Sequence, residues 1–267
     1  MTNSISNLIE FQKLNNTRDL GGMTGYGGRR IKTGKLLRSG QLFPASDDDK
    51  EKLGSMVDII MDFRSGQEVF EKPDPKVSGA DYLHLPAFKE LAAGVTREES
   101  SDKSLFRTMG TDPEKSMEHM CRVYTSFVAD QHCISCYRTF LNILLKEHEK
   151  GVLWHCTAGK DRTGFAALLI QEILGVEKDD IVRDYLQTNE HLDGEIKDIL
   201  KKIRSKHESF DERNQEALSV LFGARIEFLD ALYGKADELY GSFSGFLKEG
   251  LKVTDKETER LRAMYLE

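Results

Sequence analysis

The chain is short of cysteine, of long apolar runs and of positive charge, and each shortage removes a class of protein. Four cysteines in 267 residues are too sparse for a disulfide-stapled scaffold and fit a reducing compartment. No apolar stretch approaches the roughly 20 residues that span a bilayer, and the first ten residues lack the basic segment and apolar run of a secretory signal. The expectation is a cytoplasmic protein without an integral membrane segment, with signal-independent export left open. A net charge of -7 argues against a nucleic-acid partner held by overall charge, while leaving room for a local basic pocket. A break in composition that would mark a linker is also missing. With 39% hydrophobic residues the chain can bury one substantial core, so residues 1–267 read as a single domain.

What the sequence does have is concentrated in His155-Cys156-Thr157-Ala158-Gly159-Lys160-Asp161-Arg162-Thr163-Gly164. Before it, Gly151-Val152-Leu153-Trp154 reads as a buried strand, and after it Phe165-Ala166-Ala167-Leu168-Leu169-Ile170 reads as an apolar helix. A strand feeding a tight loop that opens a helix aims backbone N–H groups and the positive end of the helix dipole at one small volume, which suits a phosphate dianion. Cys156 stands where those N–H groups and the Arg162 guanidinium favour a thiolate, the form that attacks. The planar fork of Arg162 matches two phosphoryl oxygens, better in the flattened transition state than in the ground state. Ala158 and Gly159 keep the curl free of bulk. Thr163 is suited to hydrogen-bond the sulfur as it leaves, and His155 to orient the loop through its ring. Cys121, Cys133 and Cys136 have Phe127, Thr139 and Asn142 six residues on, so Cys156 alone is followed by the arginine. Nothing in this chemistry calls for a metal or a cofactor.

The loop resembles the signature of the cysteine-dependent phosphatases, and its wording is similar to that of the bacterial tyrosine phosphatase family. Asn16-Thr17-Arg18-Asp19-Leu20-Gly21-Gly22, Leu36-Leu37-Arg38-Ser39-Gly40, Tyr240-Gly241-Ser242-Phe243 and Leu247-Lys248-Glu249-Gly250-Leu251 extend the resemblance over nearly the whole chain. It departs at Thr157, where the family's mycobacterial member carries an aromatic residue. The resemblance implies hydrolysis of phosphotyrosine, with phosphoserine, phosphothreonine and phosphoinositide monoesters as further substrates. Lys160 bears on that choice: the tensin-type lipid phosphatases have two lysines in this loop, and this chain matches only the later one. An ammonium there suits a second phosphate; pairing with Asp161 is the structural alternative.

Around the loop, Ser46 before Asp47-Asp48-Asp49 reads as the N-cap of a helix through Leu53. Arg29–Lys32, Lys35–Arg38, Val57–Asp62 and Tyr82–Leu85 read as strands. The glycine-rich stretch from Gly21 to Gly28 reads as a turn region rather than a dinucleotide loop. Helices are expected at 114–129, 132–149, from the loop to Leu174, and at 177–188, 190–205, 212–221, 224–240 and 255–266. Together these predict an α/β fold with a central, largely parallel sheet flanked by helices, a helical C-terminal part, and a lid within 87–149 or a solvated connection there. The C-x-x-C of Cys133 and Cys136 falls on the helical spacing of Tyr137, Phe140 and Leu141, which favours a buried helix over a redox or zinc pair.

The proton donor for the leaving oxygen remains to be found. Asp62 is the first choice, because it closes a strand beside Leu153 and brings a carboxyl to the edge of the sheet that carries the loop; Asp161, inside the loop, is the rival. Arg18 and Asp19 are expected to brace the loop. Two other classes compete with a phosphatase: an idle phosphate-binding module, which has no need of a thiol, and a rhodanese-like sulfur transferase, which the Arg162-Thr163-Gly164 continuation does not suit.

Overall fold

The computed structural model describes residues 7–88, 111–206 and 210–267; most of the polar segment read as a lid, residues 89–110, lies outside them. Six strands form one sheet in the order β1-β2-β3-β6-β4-β5: β1 (Asn7–Leu8), β2 (Arg18–Asp19), β3 (Leu36–Ser39), β4 (Val57–Asp62), β5 (Asp81–His84) and β6 (Gly151–His155). The four strands from β3 to β5 run parallel, and β1 and β2 add an antiparallel edge. The largely parallel sheet read from the sequence is therefore present, and Ile60 pairs with Leu153 as neighbouring strands.

Alternation along the strands sorts the side chains onto two faces. Leu37, Ile60 and Leu153 join Leu14, Leu53 and Val57 in a small core under helix α1 (Asp47–Met56). Leu36, Met61, Val152 and Trp154 face the larger core. Into that core pack α3 (Pro113–Ala129), α4 (Gln131–Leu144), α5 (Asp161–Leu174), α7 (Glu212–Phe222), α8 (Ile226–Tyr240) and α9 (Asp255–Tyr265). Buried aromatic and aliphatic side chains contribute about 1.5–3 kcal/mol each. Phe127 of α3 stacks on Phe165 of α5 at 4.8 Å, and Tyr137 of α4 meets Phe165 edge-on. Helices α3 and α4 are thus part of the core rather than a cover over the site. The Cys133 and Cys136 thiols on α4 donate to the carbonyls of Ala87 and Leu85, and burial pushes Cys136 up to about 12, which keeps it an inert thiol.

Three local expectations change. The two helices at 177–188 and 190–205 are one continuous helix, α6 (Lys178–Lys206). Its polar midpoint is occupied by tertiary contacts rather than caps: Thr188 accepts from Arg18, and the Asn189 amide exchanges two hydrogen bonds with Ala224. Helix α4 stops at Leu144, where Lys35 Nζ gathers the carbonyls of His148, Glu149 and Lys150. Residues 29–32 pair with the C-terminal end, through Arg30 with Glu267 and Ile31 with Leu266, rather than with the sheet. Among the described residues no helix is long and apolar enough to cross a membrane.

Candidate active site

At the carboxyl edge of the parallel strands, Ser39, Asp62 and His155 lie side by side in register, the place where such sheets hold ligands. Cys156 follows His155, and α5 begins at Asp161 with no side-chain cap from its N-cap residue Lys160, so its first N–H groups remain for a ligand. The loop between them is held from outside by its carbonyls. Gln41 N donates to Thr157 O at 3.0 Å. Asn16 Nδ2 donates to Ala158 O and Gly159 O at 3.0 and 3.1 Å, and Arg38 Nη2 to Gly159 O at 2.9 Å. Tyr137 OH bonds Arg162 O, and Trp154 Nε1 bonds Thr163 O. A trans peptide points its N–H opposite its carbonyl. Tying the carbonyls outward turns the N–H groups inward, into an anion nest.

Two backbone positions make that curl possible. Gly159 has φ +68°, and a Cβ there would lie 2.6 Å from the Ser39 carbonyl oxygen. Asn16 has φ 56°, a left-handed conformation that asparagine tolerates, and it aims the amide at both loop carbonyls. Behind them sits a buried charge bridge. Asp184 of α6 pairs with Arg18 at 2.9 Å and Arg38 at 2.8 Å, and Gln171 donates to it. Arg18 therefore braces the loop through Asp184 and Arg38, whereas Asp19 accepts from Gly21 N and Gly34 N and fixes a turn instead.

Arg162 is buried and faces Glu68 end-on, with Nη1–Oε2 at 2.6 Å and Nη2–Oε1 at 3.0 Å. Glu68 belongs to α2 (Gly66–Glu71), where it also closes a capping box with Ser65, and it accepts from Thr157 Oγ1. Burial raises the Glu68 pKa, but Arg162, Thr157 and the Ser65 amide outweigh it and bring it down to about 2. Cys156 is buried at the base of the loop. Thr163 Oγ1, also buried, has no hydrogen-bond partner among the described residues.

Asp62, the first choice for the acid, is enclosed by donors. Its Oδ1 accepts from Arg64 N and Nε, and its Oδ2 from Arg64 Nε and Nη2 and from Tyr82 OH. Burial works to raise its pKa, but His155, Arg64 and Tyr82 outweigh it and hold the carboxyl far below the usual carboxylate range. With both oxygens already accepting from Arg64 and Tyr82, the carboxyl is placed as an acceptor. Arg64 Nη2 also lies 2.8 Å from Asp74, whose Oδ2 is 2.9 Å from His155 Nε2. Burial disfavours the charged ring of His155, yet Asp62 and Asp74 raise its pKa; its Nδ1 lies 3.3 Å from Cys156 O. Asp62, Asp74 and His155 bring potential metal-ligand atoms within 4.8 Å of one another, but Arg64 already bridges the two carboxylates.

Of the two readings of Lys160, the structure holds the pairing with Asp161. Its ammonium is buried and donates to Leu221 O at 2.6 Å and Gly223 O at 3.1 Å, the carbonyls ending α7, and lies 3.4 Å from Asp161 Oδ1. A cation on the negative end of a helix is well placed there. Asp161 starts α5 beside the nest; among the described residues its contacts, Tyr124 OH at 2.8 Å and Lys160, both fall on Oδ1. Glu68, Asp74, Tyr124 and Asp184 escaped the reading of the sequence. Ser65-x-x-Glu68 carries a capping-box signal, but nothing local says that its carboxylate turns to Arg162.

The chain matches the model of the tyrosine phosphatase family over residues 9–267. A Cupriavidus necator protein named "Putative tyrosine-protein phosphatase" is 32% identical over 261 residues, covering 97% of this chain and 88% of its own. The triple specificity protein phosphatase PtpB of Mycobacterium tuberculosis is 26% identical over 262 residues, covering 88% of this chain and 92% of its own. A tyrosine-protein phosphatase of Nostoc commune is 26% identical over 238 residues, covering 85% and 72%. With its phosphate-loop motif standing at the carboxyl edge of the sheet and the match running almost end to end, this chain belongs to the tyrosine phosphatase family.

Proposed function

We propose that this tyrosine phosphatase hydrolyses phosphotyrosine through a phosphocysteine intermediate. The observation that carries the reading is the ring of outward-tied carbonyls around Cys156, with Arg162 fixed by Glu68. The inward N–H groups and the edge of the guanidinium not facing Glu68 receive the three non-bridging phosphoryl oxygens. The Cys156 thiolate attacks phosphorus as the bond to the tyrosyl oxygen breaks, and Asp161 protonates that oxygen. Water then attacks phosphorus, its proton passes to the Asp161 carboxylate, and the thiolate departs with a hydrogen bond from Thr163. The thiol must stay reduced for this chemistry, which favours a cytoplasmic setting.

Phosphoinositide hydrolysis as a main activity draws no support from Lys160, whose ammonium the α7 carbonyls hold. An idle binding module gives no role to the buried thiol. The assignment of the acid is tested by leaving groups. Expelling a tyrosyl oxygen, with conjugate-acid pKa near ~10, depends on a proton donor by ~10²–10⁴-fold, and an activated fluorinated aryl phosphate depends on it much less. Asp161→Asn should slow a phosphotyrosine peptide by about that factor and the activated substrate far less. Asp62→Asn should slow both alike, through a disturbed loop. The reverse pattern would return the acid to Asp62.

A further inference from the structure

A chain of hydroxyl groups stands behind one oxygen of Asp161. Tyr124 OH of α3 lies 2.8 Å from Asp161 Oδ1 and 2.7 Å from Tyr185 OH of α6. Each hydroxyl has one proton to give. Tyr124 gives its proton to Oδ1, so the bond between the two hydroxyls runs from Tyr185 to Tyr124. A run of bonds pointing one way strengthens each member. Both phenols are buried, with Tyr124 packed against Phe127, Phe228 and the Tyr185 ring, so Tyr124 does not turn away without unpacking. Oδ1 also faces Lys160 Nζ at 3.4 Å, and that ammonium is tied to α7.

We infer that Tyr124, aligned by Tyr185, is a positioning residue for Asp161: it keeps Oδ1 an acceptor, so that the acid's proton resides on Oδ2 and is delivered from there. In the first step the proton moves from Oδ2 to the tyrosyl oxygen as the P–O bond breaks. In the second, Oδ2 takes a proton from the attacking water, and Oδ1 never changes partner. This rests on Asp161 being the acid, as proposed above.

A double-mutant cycle tests it. Tyr124→Phe removes one oxygen and keeps the ring packing. The expected result is a loss of about tenfold in kcat on a phosphotyrosine peptide, the scale of one hydrogen bond to a charged group. The activated fluorinated aryl phosphate should lose less than about threefold, with the inhibition constant of inorganic phosphate unchanged. In an Asp161→Asn background, Tyr124→Phe should cost almost nothing more, because the group it positions no longer donates. Tyr185→Phe should give a weaker version of the same pattern and serves if the first variant folds poorly. Equal losses on both substrates, or the same loss repeated in the Asp161→Asn background, would make Tyr124 a packing residue and overturn the inference. Should Asp161→Asn alone lack leaving-group dependence, the acid is misassigned and the inference falls with it. Leaving-group dependence in Asp161→Asn without it in Tyr124→Phe defeats the positioning role alone.

Discussion

Neighbouring residues in the loop differ sharply in how much of their role is written locally. The loop around Cys156 and Arg162 is legible because its residues share one short string and need only the turn they themselves build. The surroundings of Asp62 are harder to read, because Arg64, Tyr82 and His155 make them together, two of them distant in sequence. The surroundings of Lys160 are hard to read for the same reason: its partners Leu221 and Gly223 lie some sixty residues on. A buried ammonium on two carbonyls is a structural group, and removing it leaves those carbonyls unpaired at about 1–3 kcal/mol. Lys160→Ala should therefore lower the melting temperature and slow a phosphotyrosine peptide and a phosphoinositide by the same factor. A loss at least tenfold larger on the lipid, measured as kcat/KM on both, would restore Lys160 as a reader of a second phosphate.

Among the elements, α2 does most for its size. Its six residues carry a capping box at the N-terminus and turn Glu68 both to Ser65 and to Arg162, so one carboxylate caps a helix and fixes the Arg162 guanidinium. The pair is buried, and its ionisation is linked to folding. Glu68 sits at about 2 in the fold against an ordinary 4.5. Its contribution is present above the unfolded value and is lost as pH falls from about 4.5 towards about 2, on the order of 3 kcal/mol. Denaturant unfolding of wild type between pH 5 and about 2.5 should show this decline, and Glu68→Gln should be less stable at pH 7 with a shallower decline over the same window. Parallel curves for the two proteins would show that Glu68 is not ionised by Arg162. The long α6 carries the opposite lesson for reading sequences. Thr188 and Asn189 look like a helix boundary because such side chains compete with the backbone, and only the distant Arg18 and Ala224 reveal that they are spent on tertiary contacts.

Across the whole molecule, the alternation of strands and helices before the loop and the helical run after it made the α/β class and the parallel sheet readable. The antiparallel edge of β1 and β2, and the pairing of residues 30–31 with the C-terminal end, depend on segments that meet only after folding. What the fold achieves as a unit is to bring Asn16, Arg38, Glu68 and Tyr137 from four separate stretches onto one loop, each holding a carbonyl or the arginine. That arrangement exists, on this account, to make Cys156 a phosphoryl acceptor. The most direct test is to acid-quench the enzyme during turnover of p-nitrophenyl phosphate, whose good leaving group speeds the first step, and map the phosphoryl group by mass spectrometry. The account predicts one phosphoryl group on the peptide containing Cys156, absent from Cys156→Ser, which should not turn over. A phosphoryl group on another side chain, or a Cys156→Ser enzyme that keeps a tenth of wild-type turnover, would contradict it.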